Sequence, residues 1–164
     1  MTNDTINNYQ NSYVELGVIS NFSFLEGGSH PEELAKTASA LGYHALALAD
    51  KNTLSGAVRF YMATKDIGVQ GIIGSRIETE DGDVLICFPT DIDAYSRLTR
   101  LLTLGKRRTK KSKCKLWRDD VIKYALGQIL IILPPKSFCS PTLLKEHQES
   151  EAKFSKELAE WGRL

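Results

Sequence analysis

ALADKNTLSG, Ala47 to Gly56, is the stretch on which the reading of the fold turns. The apolar run Ala45–Ala49 climbs into Asp50, a polar turn follows, and Thr53 opens a helical pattern. A buried strand feeding a helix places the connecting residues at the carboxyl edge of a sheet, where α/β folds gather ligands and catalytic groups. Asp50 therefore stands where a metal ligand or an acid/base group would be useful. Lys51 beside it complicates that role.

Outward from this turn, the chain keeps alternating strand and helix signals. Residues 1–12 are polar and asparagine-rich and read as a disordered tail. Tyr13–Ile19 reads as a strand. The loop Ser20–Gly28 carries Phe22, Phe24 and Leu25, apolar side chains expected to fold back over the sheet edge. Ser29 and Glu32 have capping-box spacing, with Pro31 near the first helical position. Leu34, Ala35, Ala38 and Leu41 then repeat at helical spacing, and Gly42 supplies the stop.

Beyond Asp50, a helix is expected over Leu54–Ile67, ended by Gly68, and then a strand over Val69–Glu78. Asp81-Gly82 signals a hairpin into Val84–Phe88. Asp91 caps a helix carrying Tyr95, Leu98, Leu101 and Leu102. A short helix over Trp117–Ala125 and an apolar strand over Gln128–Leu133 follow. The tail from Pro141 to Trp161 is charged and helical, with an apolar stripe of Leu143, Leu144, Phe154, Leu158 and Trp161. This alternation predicts an α/β fold, a mainly parallel sheet with one inserted hairpin, and too few units to close a barrel.

The totals narrow the class without naming a partner. A chain of 164 residues, 42% apolar and 25% charged, suits one globular core and excludes a fibrous or disordered chain. A net charge of +1 is silent about partners. Cys87, Cys114 and Cys139 are odd in number and form no C-x-x-C pair, which argues against disulfides and zinc knuckles and for a reducing compartment. With no signal peptide and no apolar run long enough to span a bilayer, the expected location is the cytoplasm.

Taken together, the ordered motifs resemble a known family. YVELGVISNFSFLEGGSHPEELAKTASALGYHALALADKNTLSGAVRFY (Tyr13–Tyr61) is similar to the start of bacterial C-family DNA polymerases, the polymerase III alpha subunits, which begin with a PHP (polymerase and histidinol phosphatase) domain. NFSFL, SHPEEL, FPTDIDAYSRL and LLTLGKRR look most like the error-prone alpha-type polymerases of damage-induced mutagenesis. The likeness runs from about Tyr13 to Pro135. It implies a partial PHP-type (βα) barrel over 13–164, incomplete at its C-terminal side. In the full-length relative it implies a magnesium-dependent, DNA-directed DNA polymerase acting in translesion synthesis and DNA repair. The catalytic carboxylates of that family lie outside the likeness, so this chain is not expected to polymerise alone.

The resemblance also implies a metal site with most of its ligands replaced. Working PHP sites hold two or three ions, zinc, manganese or iron, through histidines and carboxylates. The first His-x-His pair of the family falls on Gly17 and Ile19, and the Asp-His pair on Asp50 and Lys51. An expected acid aligns with Arg76 and a further histidine with Val84. Asp50 and Glu26 are the residual candidate ligands, and no resident cofactor is expected. The plainer role for Asp50 is a turn or capping residue paired with Lys51 or Arg76. His30, His44 and His147 have no metal partner at useful spacing.

KRRTKKSKCK, Lys106–Lys115, holds seven basic residues in ten and no acid. Lys106, Arg107, Arg108, Lys110, Lys111, Lys113 and Lys115 read either as a mobile solvated loop or as a sequence-independent contact to DNA phosphates. No aromatic lies within the run, which argues against base stacking. The function expected is a structural module of an error-prone polymerase, its partners being other polymerase domains or replication and mutagenesis proteins, and DNA, with no membrane. The competing readings are a stand-alone metal-dependent phosphoesterase or 3'-5' exonuclease, and a non-functional gene fragment.

Overall fold

Strand and helix alternate from Val14 to Glu78, and a hairpin and two successive helices precede the last strand. A computed structural model describes residues 13–111, 113–134 and 144–162, with 144–150 as backbone. The expected tail over 1–12 and the start of the charged tail, 141–143, lie outside the described residues. The elements are β1 (Val14–Val18), α1 (Pro31–Ala40), β2 (Ala45–Lys51), α2 (Ala57–Ile67), β3 (Gln70–Glu78), β4 (Val84–Pro89), α3 (Ile92–Arg107), α4 (Arg118–Lys123), β5 (Gln128–Leu133) and α5 (Leu144–Trp161). The five strands belong to one sheet of a mixed α/β fold. Two compact units divide inside β3, after Ser75.

In the amino-terminal unit the strand order is β1-β2-β3. β1 runs parallel to β2, with Val14 level with Ala45 and Val18 level with Leu48. All residues of β2 from Ala45 to Asp50 are buried, as a strand flanked on both edges should be. Leu46 and Leu48 pack with Ala38 of α1, Phe60 of α2 and Val69.

Two helix starts differ from expectation. The cap of α1 is His30, one residue later than Ser29, because the His30 amide donates to Glu33 Oε2 at 2.8 Å. Glu32 instead pairs with Arg59 of α2 at 2.6 Å. α2 begins at Ala57, because Ser55 donates its amide to Thr53 Oγ1 at 3.2 Å and the two hydroxyls bond at 2.7 Å. That local turn competes with helix and holds residues 53–55 out of it.

In the carboxyl-terminal unit the order is the end of β3, then β4, then β5. The Asp81-Gly82 turn is in place, with Gly82 at φ +94° and the Thr79 amide donating to the Asp83 carbonyl at 3.0 Å. β5 returns antiparallel to β4, from Val84↔Leu133 to Pro89↔Gln128, so β4 is the reversed strand of the inserted hairpin. The Asp91 side chain caps α3 by accepting from the Ala94 amide at 2.7 Å.

One buried acid organises this unit. Arg118, at the start of α4, donates Nε to Asp83 Oδ2 at 2.9 Å and Nη2 to Asp83 Oδ1 at 2.7 Å. Its Nη1 reaches Glu160 of α5 at 2.7 Å, and its guanidinium lies 5.7 Å from the Trp161 ring centroid. A bidentate guanidinium thus ties the hairpin, α4 and the end of α5 together.

Candidate site around Asp50

The end of β2 carries Asp50, 1% exposed. Ser20, just beyond β1, donates its amide to Asp50 Oδ1 at 2.7 Å and its hydroxyl to Oδ2 at 2.8 Å. Ser23 donates its hydroxyl to Oδ1 at 2.7 Å and accepts the Lys51 amide at 3.0 Å. From β3, Ser75 donates its hydroxyl to the Asp50 main-chain carbonyl at 2.9 Å. Among the described residues, the partners of the Asp50 carboxyl oxygens are Ser20 and Ser23.

The expected pairing of Asp50 with Lys51 or Arg76 is therefore corrected. The Lys51 ammonium reaches Glu26 at 2.7 Å, at a site about one-third exposed on both sides. Arg76 pairs with Glu78 at 3.0 Å. A buried carboxyl group already surrounded by three donors has little need of a long side chain folded back to reach it.

The loop that supplies the serines is closed on itself. Ser23, Glu26 and Gly27 donate their amides to the carbonyls of Ser20, Ser23 and Ser23, at 2.9–3.0 Å. A Cβ on Gly27 would sit 2.1 Å from the Ser20 carbonyl oxygen, and one on Gly56 would meet Asp50 Oδ2 and the Phe22 ring at 3.0 Å. Leu25 adopts φ +63°. Phe24 and Leu25 are 84% and 89% exposed, so of the apolar side chains expected to fold inward only Phe22, half-buried beside Gly56, does so. The serines were missed, yet the register held a signal. With Val18 level with Leu48 in a parallel pair, Ser20 comes level with Asp50 two residues on.

The other candidate positions divide between the two units. Gly17 lies on β1 and Ile19 just after it; Arg76 lies on β3 and Val84 opens β4. His30 caps α1 and His44 is an exposed residue just before β2. Among the described residues, no group of three or more His, Cys, Asp or Glu is placed to share an ion.

The basic run is partly helical, because α3 continues through Arg107. Lys115 donates its amide to Gly105 at 3.0 Å, and Thr109 donates its hydroxyl to Lys113 at 2.7 Å. Arg108 pairs bidentately with Asp120. Arg108 and Lys115 lie 4.8 and 5.1 Å from the ring centroid of Trp117, which is 36% exposed. Arg107, Lys110, Lys111 and Lys113 are exposed. Cys114 packs beside Gly105. Burial pushes the Cys87 thiol up to about 12, so it is inert at neutral pH.

The family model of the PHP domain matches residues 15–163. The chain belongs to the PHP domain family. Error-prone DNA polymerase 3 of Agrobacterium fabrum is 47% identical over 136 residues, 82% of this chain and 12% of that protein. The error-prone DNA polymerase of Caulobacter vibrioides is 46% identical over 125 residues, 76% of this chain and 12% of that protein. The PHP chain thus spans about an eighth of the length of these relatives. Among solved structures, a candidate metal-dependent phosphoesterase of Bifidobacterium adolescentis overlaps at a TM-score of 0.49 and 16% identity, covering 69% of this chain and 50% of that one. No helix among the described residues is long and apolar enough to cross a membrane.

Proposed function

We propose that this chain is the PHP-domain portion of an error-prone DNA polymerase, a cytoplasmic structural module whose metal site has degenerated. The observation that carries this reading is the use already made of Asp50. Its oxygens accept three short hydrogen bonds inside the protein, and a metal would compete for the same lone pairs. Gly17, Ile19 and Val84 offer no donor atom, while Lys51 and Arg76 offer cations. Such a set does not fit a zinc or manganese cluster. In the longer polymerase, magnesium-dependent nucleotide addition opposite damaged template would belong to the other domains, which this module would brace.

The basic turn supports a second role beside DNA. Arg108 and Lys115 are engaged with Asp120 and Trp117, so phosphate contact would fall mainly to Arg107, Lys110, Lys111 and Lys113. Such contact ignores sequence and weakens with salt at about 0.9 log units of affinity per log unit of salt for each phosphate neutralised.

The purified chain, offered labelled primed template, nucleotides and magnesium, is expected to bind with a log–log salt slope of roughly −3.6 for four phosphates and to incorporate nothing. Nucleotide incorporation, or binding indifferent to salt, would sink the proposal. Phosphodiester hydrolysis with zinc or manganese, lost on Asp50→Ala, would establish the phosphoesterase or exonuclease reading in its place.

A further inference from the structure

We infer that Ser20 and Ser23 form a hydrogen-bonded stitch around Asp50 that does for this chain what an ion does in a carboxylate site: it fastens the β1–α1 loop to the strand ends. The amino-terminal unit then keeps its shape without metal. This rests on the degenerate-site reading and goes beyond it, since a decayed site need not have been rebuilt.

The connectivity is that of a crosslink. Ser20 follows β1, Ser23 lies in the loop, Asp50 and Lys51 end β2, and Ser75 lies on β3. Each loop hydroxyl works twice. Ser20 Oγ donates to Asp50 and accepts the Phe22 amide at 3.2 Å; Ser23 Oγ donates to Asp50 and accepts the Lys51 amide. An ion entering here would displace the Ser20 amide and both hydroxyls from their acceptor, leaving buried donors unsatisfied.

The same geometry excludes a serine nucleophile activated by Asp50. Both serines are buried, their hydroxyl protons point at the carboxyl group, and their lone pairs face backbone amides. No reacting atom could approach either oxygen. Gly27 and Gly56 complete the arrangement, because a Cβ at either would strike the loop or Asp50 itself.

The full chain is tested by thermal unfolding with and without EDTA or added zinc or manganese, alongside metal content. Chelation is expected to leave Tm unchanged. Ser23→Ala and Ser20→Ala are each expected to lower it by about 5 °C. Asp50→Asn should lower it by a similar amount, because its carbonyl can keep both bonds at one oxygen while the Ser20 hydroxyl loses its acceptor. If both serine variants match the parent while chelation has no effect, the stitch is wrong and the degenerate site stands. If EDTA lowers Tm and metal restores it, both fall. Should the alanine variants not fold, amide exchange in the parent decides. The Ser20 and Lys51 amides are expected to be protected with or without EDTA, and free exchange at both would overturn the stitch.

Discussion

Among the described residues each unit buries one aspartate, and the two are satisfied by opposite means. Asp50, 1% exposed, meets an amide and two hydroxyls; Asp83, 5% exposed, meets the guanidinium of Arg118. The first arrangement closes a short loop onto a neighbouring strand end. The second joins a hairpin to two helices. The difference teaches that a buried acid is a fastening in either case. An uncharged cage draws its donors from one loop, whereas a single long cation reaches two acids at once, Asp83 and Glu160.

The comparison breaks first at Arg118. Arg118→Ala leaves Asp83 buried without its counter-charge and is expected to cost about 3 kcal/mol, toward the lower end for a broken buried pair because water reaches the guanidinium. Urea denaturation measures this, and Arg118→Lys should restore only part, since an ammonium cannot bridge both oxygens. Full rescue by lysine would mean that Asp83 needs only a point charge.

Asp50→Ala should cost a similar amount, about 3 kcal/mol, by leaving three donors without an acceptor at about 1 kcal/mol each. Its loss should not change with salt, because no ion pair is removed. A loss that shrinks in high salt would erase the distinction.

The smallest effect is in the pH dependence. Burial pushes the Asp83 carboxyl group up, but the hydrogen bonds and charge of Arg118, with help from Trp161 and Thr79, outweigh it and hold the group below the usual carboxylate range. A depressed folded value means that the stabilisation is present above the unfolded value of about 3.9 and is lost as pH falls through the folded one. Asp120, held low chiefly by Arg108, shares that acid-side loss. Thermal unfolding from neutral to acid pH should therefore show a shallower decline for Asp83→Asn than for the parent, and equal declines would contradict this assignment.

Much of the fold was legible because its signals are local and periodic. The β2–Asp50 turn, the Asp81-Gly82 hairpin and the Asp91 cap all follow from neighbours within four residues. The helix starts were harder, since Thr53 and Ser55 bond to one another in a way that hydrophobic spacing does not register. The end of α3 was misjudged for a related reason: the charge density of Lys106–Lys115 suggested a loop, while buried Leu101, Leu102 and Gly105 carry the helix through Arg107.

The surroundings of both acids were illegible for a different reason. Ser20 and Ser23 sit in an aperiodic loop whose apolar residues carry the stronger burial signal, although Phe24 and Leu25 face solvent. Arg118 lies 35 positions from Asp83, beyond any pattern of turns or helical faces. The Ser20–Asp50 pairing becomes visible once the β1–β2 register is known.

Gly27 carries a consequence for what this sequence can become. The obstacle facing a side chain there is the main-chain oxygen of Ser20, which has no rotamer to retreat into. Drift at this position is closed to all other amino acids unless the whole loop is redrawn. Natural variation should therefore spare Gly27 even in copies where the neighbouring, solvent-facing Phe24 and Leu25 have wandered freely.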